Sequence, residues 1–267
     1  ATVYALIPDV HPERYLADPA TRATFERRRR SLEAADLLLC ISEHTRSDVV
    51  RLFDVDPDRV HVIGAGASPF FSPGPVRRRH SGVTRPYVLS VAGDEWRKNT
   101  GLLFRSWAAL PAATRRAHQL VVVCSLTDVA RRRWREEIAG AGLGPDEIVL
   151  TGRVDDDALL DLYRGASLFV FPSRYEGFGL PVVEAARCGV PVLLSATSSL
   201  PALLEEPAAE FDPASGAMRA WVNGELYSEA DLSELYWSIE EMTAYAAEAS
   251  VVAPGDLFGS GTCGSGC

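Results

Sequence analysis

Two glutamates eight positions apart flank a glycine-rich stretch and are the residues best suited to chemistry. Glu176 and Glu184 open and close the string E-G-F-G-L-P-V-V-E. In a continuous helix the two residues would lie about 12 Å apart, from a rise of about 1.5 Å per residue. A retaining glycosidase holds its two carboxyl groups only about 5–5.5 Å apart, so the spacing argues against a hydrolytic pair. Carboxylates accept hydrogen bonds from hydroxyl groups, and the pair is therefore predicted to bind a sugar.

The backbone between the two glutamates is predicted to bind an anion. Gly177 and Gly179, on either side of Phe178, allow the chain to turn sharply or to lie against a ligand. Pro181 fits the first turn of a helix, where Gly179 and Leu180 can direct free N–H groups at a negative charge. A sugar diphosphate suits this set, with the phosphates on the amides and the sugars on the glutamates. A glycine-rich turn with two solvated glutamates is the alternative that spacing alone leaves open.

A second polar loop, D-E-W-R-K-N, is predicted at the end of another strand. Arg97 or Lys98 in this loop could neutralise a diphosphate leaving group as the bond to the sugar breaks. Lys98 is the only lysine in the chain. The alternative is that these charges mark the solvated start of the following helix.

Three consecutive aspartates, Asp155 to Asp157, satisfy the D-x-D pattern of metal-dependent glycosyltransferases. A helix is predicted directly after them, over 158–163. Aspartate at a helix cap and in the first helical turn complements the helix dipole. The aspartates are therefore predicted to cap this helix, and no metal site is predicted.

The elements that position these residues follow from apolar runs and glycine punctuation. The uncharged run 167–173 predicts a strand buried on both faces, and Gly189 predicts the end of the helix that begins near Pro181. A further strand at 190–194 completes a right-handed βαβ unit. The run 87–92 repeats the pattern, with a helix predicted over 100–110. The chain is predicted to be an α/β protein with a Rossmann-like parallel sheet and helices on both faces.

The string from Glu176 to Ala185 resembles the E-x7-E signature of retaining glycosyltransferases of family 4, which have the GT-B fold. The strings at 188–192 (C-G-V-P-V) and 198–201 (S-S-L-P) are also similar to that family, mannosyltransferases included. The resemblance implies that Glu176 holds the transferred sugar and that Glu184 accepts hydrogen bonds from ribose hydroxyls. R-K-N resembles the family's basic phosphate-binding element, although Asp94 stands where the family often has arginine.

The resemblance also divides the chain. Residues 1–75 are similar to the end of the acceptor-side N-terminal domain and a linker, which implies that most of that domain lies upstream of residue 1. Residues 76–213 are expected to form an incomplete donor-binding domain. The family often has His or Asp where Ala5 stands, and the nearby His11 is a lone histidine in a Pro-flanked loop. We therefore expect little catalytic contribution from this segment.

The tail has a different character, with eight acidic residues and one basic residue over 214–267. A hairpin is predicted over 217–228 and a helix over 232–248. The strings at 222–229, 236–245 and 254–262 resemble the C-terminal part of the fumarylacetoacetate hydrolase family. The metal-binding carboxylates of that family have no counterpart upstream. The chain is therefore interpreted as a join of two incomplete proteins.

Composition limits the partners and the compartment. A formal charge of -9 disfavours nucleic acid, and the five scattered cysteines indicate neither a disulfide framework nor a zinc site. No apolar run reaches the roughly 18–20 residues of a membrane span, and there is no signal-peptide pattern. A cytoplasmic location is expected. Basic runs such as 27–30 indicate solvated helix faces, with the inner membrane surface or an anionic acceptor as the alternative.

The predicted function is transfer of a sugar, with retention of configuration, from a nucleoside diphosphate sugar to a glycan or a lipid-linked acceptor. GDP-mannose or a UDP-sugar is the expected donor, and no cofactor is expected. Two alternatives stay open. The chain could be a donor-binding fragment without catalysis, or the tail could confer metal-dependent hydrolysis of a β-diketone acid.

Overall fold

The computed structural model describes residues 1–203, 210–211, 217–222 and 225–231. Residues 1–75 contribute a three-stranded parallel sheet in the order β1–β2–β3, with helices packed against it. Its elements are β1 (Thr2–Val3), α1 (Ile7–Val10), α2 (Pro12–Tyr15), α3 (Pro19–Glu33), β2 (Leu38–Cys40), α4 (Glu43–Leu52) and β3 (Val60–Val62).

A second, larger sheet follows. Its elements are β4 (Tyr87–Val91), α5 (Thr100–Ala109), α6 (Ala112–Ala117), β5 (Gln119–Val123), α7 (Asp128–Gly140), β6 (Ile148–Gly152), α8 (Asp156–Gly165), β7 (Leu168–Phe171), α9 (Leu180–Arg187), β8 (Val192–Ser195), β9 (Glu210–Phe211), β10 (Ala217–Val222) and β11 (Glu225–Asp231). Short 3-10 turns lie at Pro57–Arg59, Trp96–Lys98 and Pro201–Leu203. The predicted α/β class, with its Rossmann-like parallel sheet, is confirmed.

The strand order of the larger sheet places the site. It runs β11–β10–β9–β8–β7–β4–β5–β6, and the strands from β9 to β6 are parallel. The chain moves outward from β4 through β5 to β6 and then returns to β7 on the other side of β4. Such a reversal opens a crevice at the carboxyl ends of the two central strands, where open α/β sheets bind ligands. We call the space between the loops after β4 and β7 the switch-point crevice.

The two central strands are apolar because helices cover both faces of the sheet. Leu89 and Phe169 pack on one face with Tyr163 of α8, and Val88 and Val170 pack on the other face with α5 and α7. Burying such side chains is the main favourable contribution to folding. The loops after β4 and β7 therefore begin at strands that are held in place by packing on both faces.

Local signals locate the ends of several helices. Ser42 accepts a hydrogen bond from the Thr45 N–H at 3.0 Å and caps α4. Asp155 accepts one from the Ala158 N–H at 2.8 Å and caps α8, as predicted. Gly189 adopts a left-handed φ of 79° just past α9. This conformation ends a helix at little cost in glycine.

The tail contributes an antiparallel hairpin formed by β10 and β11, which confirms that prediction. The predicted helix over 232–248 lies outside the described residues. Within the part of the chain that the structure describes, no helix has the length and apolar character needed to cross a membrane.

Candidate functional site

Two loops border the switch-point crevice and are joined to each other. The loop after β4 contains the turn Trp96–Lys98 and ends at Asn99, which has a left-handed φ of 53°. The loop after β7 leads through residues 172–179 to α9. The Arg174 N–H donates to the Arg97 carbonyl at 2.7 Å and ties the two loops together.

The two predicted phosphate-binding cations and the predicted sugar-binding carboxylate form one ion cluster. Glu176 accepts from Lys98 Nζ through Oε1 and from Arg97 Nη1 through Oε2, both at 2.7 Å. These side chains are 10–16% exposed. Glu95 binds Arg97 Nε at 2.7 Å. Two positive and two negative charges therefore balance within the cluster.

Burial and pairing act in opposite directions on the two cations. Burial lowers the pKa of Lys98, and the attraction of Glu176 offsets only part of that effect. Burial also lowers the pKa of Arg97, but the carboxylates of Glu176 and Glu95 more than compensate and leave it raised. Arg97 is thus the more firmly charged of the two, and Lys98 depends on its carboxylate partner.

Glu184 has a different environment on α9. It accepts a hydrogen bond from Tyr163 Oη at 2.9 Å. Burial raises the pKa of Glu184; the Tyr163 hydroxyl counteracts this, whereas the negative charge of Asp156 adds to it. Tyr163 is fully buried and makes edge contacts with Phe71 and Phe169, so its hydroxyl has a fixed position.

The glycine-rich loop is held by the S-S-L-P segment. The Glu176 N–H donates to Ser198 Oγ at 2.9 Å, and Ser199 Oγ donates to the carbonyls of Glu176 and Phe178. Gly179 has φ of 110°, and a side chain there would meet Leu200. The two serines support the loop, a role that the resemblance of this segment to the family did not itself reveal.

The close approach at Gly177 is to the protein backbone of the N-terminal part. A Cβ atom at Gly177 would clash with the Tyr4 carbonyl oxygen, which requires glycine here. The Gly177 carbonyl accepts from Ser42 Oγ at 2.7 Å and from Thr45 Oγ1 at 3.2 Å. The start of α4 therefore fixes the residue that follows Glu176.

The preceding residue is also bound to α4. Tyr175 donates to the Asp48 carboxylate, and His44 Nε2 lies 2.9 Å from the same hydroxyl. Burial and the hydrogen bond to Asp48 raise the pKa of Tyr175. Arg51 binds the other oxygen of Asp48 at 2.7 Å. None of these α4 residues was among the predicted site residues, because each looks like an ordinary surface polar residue in the sequence.

One departure from the family pattern, Asp94, has a structural explanation. Asp94 accepts from Trp134 Nε1 at 2.9 Å and from Arg133, so it ties the loop after β4 to α7. Leu180, which opens α9, is 41% exposed. Among the described residues, no group of three or more His, Cys, Asp and Glu side chains could hold a metal ion.

Comparisons with known families identify two regions. The family model described as glycosyl transferases group 1 matches residues 77–211, just over half of the chain. The model of the fumarylacetoacetate hydrolase C-terminal region matches residues 194–267. The second match begins inside the larger sheet, upstream of the predicted boundary at 214.

Proteins with similar sequences include mannosyltransferases. The serotype-specific mannosyltransferase WbdA of Escherichia coli is 33% identical over 78% of this chain and 26% of its own length. The O-antigen chain mannosyltransferase B of the same species is 33% identical over 68% of this chain and 49% of its own length. The chain thus spans between about a quarter and a half of these curated relatives.

Solved structures share the fold. Sucrose-phosphate synthase from Thermosynechococcus elongatus superposes with a TM-score of 0.68 at 24% identity, over 92% of this chain and 58% of that protein. Anabaena HepE in complex with UDP and glucose superposes with a TM-score of 0.61 at 19% identity, over 83% of this chain and 57% of that protein. The GT-B fold expected from the sequence is confirmed.

Proposed function

The chain belongs to the group 1 glycosyltransferases, and from this premise we propose that it binds a nucleoside diphosphate sugar at the switch-point crevice and transfers the sugar with retention of configuration. The observation that carries the proposal is that Arg97 and Lys98, in the loop after β4, form ion pairs with Glu176, in the loop after β7. Negative charge develops on the diphosphate as the sugar bond breaks, and fixed cations at that point lower the barrier.

Each group has a distinct task in this proposal. Arg97 and Lys98 bind the diphosphate, assisted by the amides of Gly179 and Leu180. Glu176 binds the hydroxyls of the transferred sugar, and Glu184 binds those of the ribose. The acceptor hydroxyl attacks from the face that the nucleotide leaves, which preserves the configuration at the sugar carbon.

The ion cluster implies that donor binding exchanges partners. A diphosphate brings its own negative charges to Arg97 and Lys98, which in the structure are neutralised by Glu176 and Glu95. When phosphate oxygens take over these cations, the carboxylate of Glu176 becomes available to sugar hydroxyls. Phosphate binding and sugar binding are therefore coupled through one carboxylate.

The named relatives indicate which donor to test first. Both are mannosyltransferases, which favours GDP-mannose over a UDP-sugar for this chain. HepE, whose structure was solved with UDP and glucose, keeps UDP in the test set. For the acceptor, we propose a glycan or a lipid-linked saccharide.

Calorimetric titration tests the donor site. We expect the wild type to bind GDP, UDP or GDP-mannose, and Glu184→Ala to lower that affinity about tenfold, equivalent to about 1.4 kcal/mol. Glu136→Ala is the matched control, because this glutamate is exposed on α7, and it should leave the affinity unchanged. Absence of binding by the wild type, or equal affinities for all three proteins, would refute the donor site. Binding without transfer to any acceptor would limit the chain to donor binding.

A further inference from the structure

Two polar atoms of the N-terminal part are buried beside the crevice without a partner. Neither Tyr15 Oη, at the end of α2, nor His11 Nε2, just before α2, has a partner at full hydrogen-bonding distance and angle among the residues that the structure describes. An unpaired buried polar group destabilises the folded protein because it has lost its hydrogen bonds to water without replacing them. Such groups are uncommon in native proteins, and a ligand that pairs with them is one explanation.

Both side chains lie against the loops that border the crevice. The His11 ring makes edge contacts with Trp96, at 5.0 Å between centroids, and with Tyr175, at 5.4 Å. Trp96 precedes Arg97 in the loop after β4, and Tyr175 precedes Glu176 in the loop after β7. His11 therefore sits where the two loops meet.

Tyr15 lies close enough to the ion cluster to experience its charges. Burial raises the pKa of Tyr15, and the negative charges of Glu95 and Glu176 act in the same direction. The positive charge of Arg97 and its nearby backbone N–H act against them. The hydroxyl thus stays protonated at neutral pH and can both donate and accept a hydrogen bond.

We propose that Tyr15 and His11 bind hydroxyl groups of a sugar that lies in the switch-point crevice beside Glu176. Phosphate is the poorer match, because the cations that would bind it are Arg97 and Lys98, and the two unpaired atoms belong to a phenol and an imidazole. A sugar hydroxyl donates and accepts, as these groups do. The proposal rests on the proposed donor site for its location.

The same hydroxyl chemistry could come from the transferred sugar of the donor or from the acceptor saccharide. The two sources can be separated by affinity. The ratio of the affinities for GDP-mannose and GDP isolates the contribution of the transferred sugar. The affinity for methyl α-mannoside in the presence of GDP reports on a sugar that is not attached to the nucleotide.

The variants are Tyr15→Phe and His11→Phe, which keep the aromatic rings and remove the polar atoms. Tyr4→Phe and His61→Phe are matched controls, since Tyr4 is 67% exposed and His61 is exposed on β3. Thermal melting of each variant accompanies the calorimetry. The melting temperature of Tyr15→Phe should be no lower than that of the wild type, because the substitution removes an unpaired buried hydroxyl. If the hydroxyl held the structure together, its removal would lower the melting temperature.

We expect Tyr15→Phe to weaken the binding of either GDP-mannose or methyl α-mannoside about tenfold, while the affinity for GDP stays unchanged. A smaller ratio of the affinity for GDP-mannose to the affinity for GDP assigns the hydroxyl to the transferred sugar. Weaker binding of methyl α-mannoside assigns it to the acceptor.

Sugar affinities equal to those of the controls, or an equal loss for GDP itself, would overturn the inference and leave the donor site intact. Failure of the wild type to bind GDP would instead refute the donor site, and the inference would fall with it unless methyl α-mannoside still bound.

Discussion

The two glutamates of the E-x7-E string occupy opposite kinds of environment. Glu176 is buried among charges, with one cation on each carboxylate oxygen. Glu184 is held by a single neutral hydroxyl, and its pKa is raised by burial. The first carboxylate is paired with two cations that a diphosphate would also bind. The second carries its charge in a partly buried position, at a cost that hydroxyl ligands would reduce.

This difference is what we expect if one sequence motif binds two parts of a ligand, as proposed. The loop carrying Glu176 depends on contacts from Tyr4, just after β1, from the start of α4 and from the S-S-L-P segment. Glu184 lies on a helix and depends on α8. The ion cluster around Glu176, which we call the charged side of the proposed site, should therefore respond strongly to substitutions in distant segments. The part of α9 around Glu184, which we call the hydroxyl side of the proposed site, should respond to α8 alone.

Gly177→Ala should produce the largest effect, because it disrupts the charged side and leaves Glu184 in place. The new methyl group would meet the Tyr4 carbonyl oxygen, so the loop must move and lose its hydrogen bonds to Ser42 and Thr45. We expect a loss of about 3 kcal/mol in the free energy of unfolding. Chemical denaturation measures it. Gly66→Ala, at a glycine with open space around it, is the control and should change little. Equal stabilities would contradict the close approach.

Lys98→Met should have the next largest effect. It leaves Glu176 with Arg97 alone and removes a phosphate ligand, so we expect a loss of about 2 kcal/mol in unfolding free energy. The affinity for GDP should fall about tenfold. Denaturation and calorimetry measure the two quantities. Unchanged GDP affinity in a folded variant would show that Lys98 does not face the phosphates.

Glu176→Gln should separate the two roles of the charged side. The two cations lose their shared counter-ion, so the protein becomes less stable by about 1.5 kcal/mol. GDP should nevertheless bind about fivefold more tightly, because Arg97 and Lys98 no longer need to leave a carboxylate. GDP-mannose should gain less than GDP, since the amide replaces a sugar ligand. Weaker binding of GDP would contradict the exchange of partners.

Tyr163→Phe should have a smaller effect, confined to the hydroxyl side. Loss of the hydrogen bond to Glu184 should cost about 1 kcal/mol in stability and lower GDP affinity about threefold. Tyr87→Phe is a matched control, because this buried tyrosine donates to the Leu162 carbonyl at 2.8 Å. That variant should lose similar stability with no change in GDP affinity. Equal GDP affinities for both variants would remove Tyr163 from the site.

The pH dependence of GDP binding should give the smallest difference. Because the pKa of Glu184 is raised from its ordinary value of 4.5, the ionised carboxylate is lost earlier as the pH falls, and the affinity falls with it. Tyr163→Phe removes a hydrogen bond that lowers this pKa, so the fall should begin at a higher pH. Glu184→Gln should lack this component and show only the titration of the phosphates, which is common to all variants. Identical profiles for the three proteins would contradict the role of Glu184.

The sequence was sufficient where the signal was local. Uncharged runs predicted the central strands, and Gly189 predicted the end of α9. The cap at Asp155 followed from the residues next to it. Each signal lies within a few positions of the element that it specifies, so one sequence can reveal it.

The arrangement of the site was not predictable in the same way. Arg97 and Glu176 are 79 positions apart, and each was predicted to bind a different part of the ligand, with no indication that the two side chains bind each other. Gly177 was expected to allow a sharp turn or to lie against a ligand, whereas in the structure it lies against the backbone of Tyr4, more than half the chain away. Hydrogen bonds from Ser42 and Thr45 depend on how two sheets meet, which no local pattern encodes.

The single lysine offers the most direct test that a diphosphate binds at the charged side. Protein labelled with ¹³C at lysine Cε gives one side-chain signal, from Lys98. We expect this signal to shift on addition of GDP and the shift to saturate with the affinity measured by calorimetry. A signal that stays unmoved while GDP binds, or a wild-type protein that binds no nucleoside diphosphate, would contradict it.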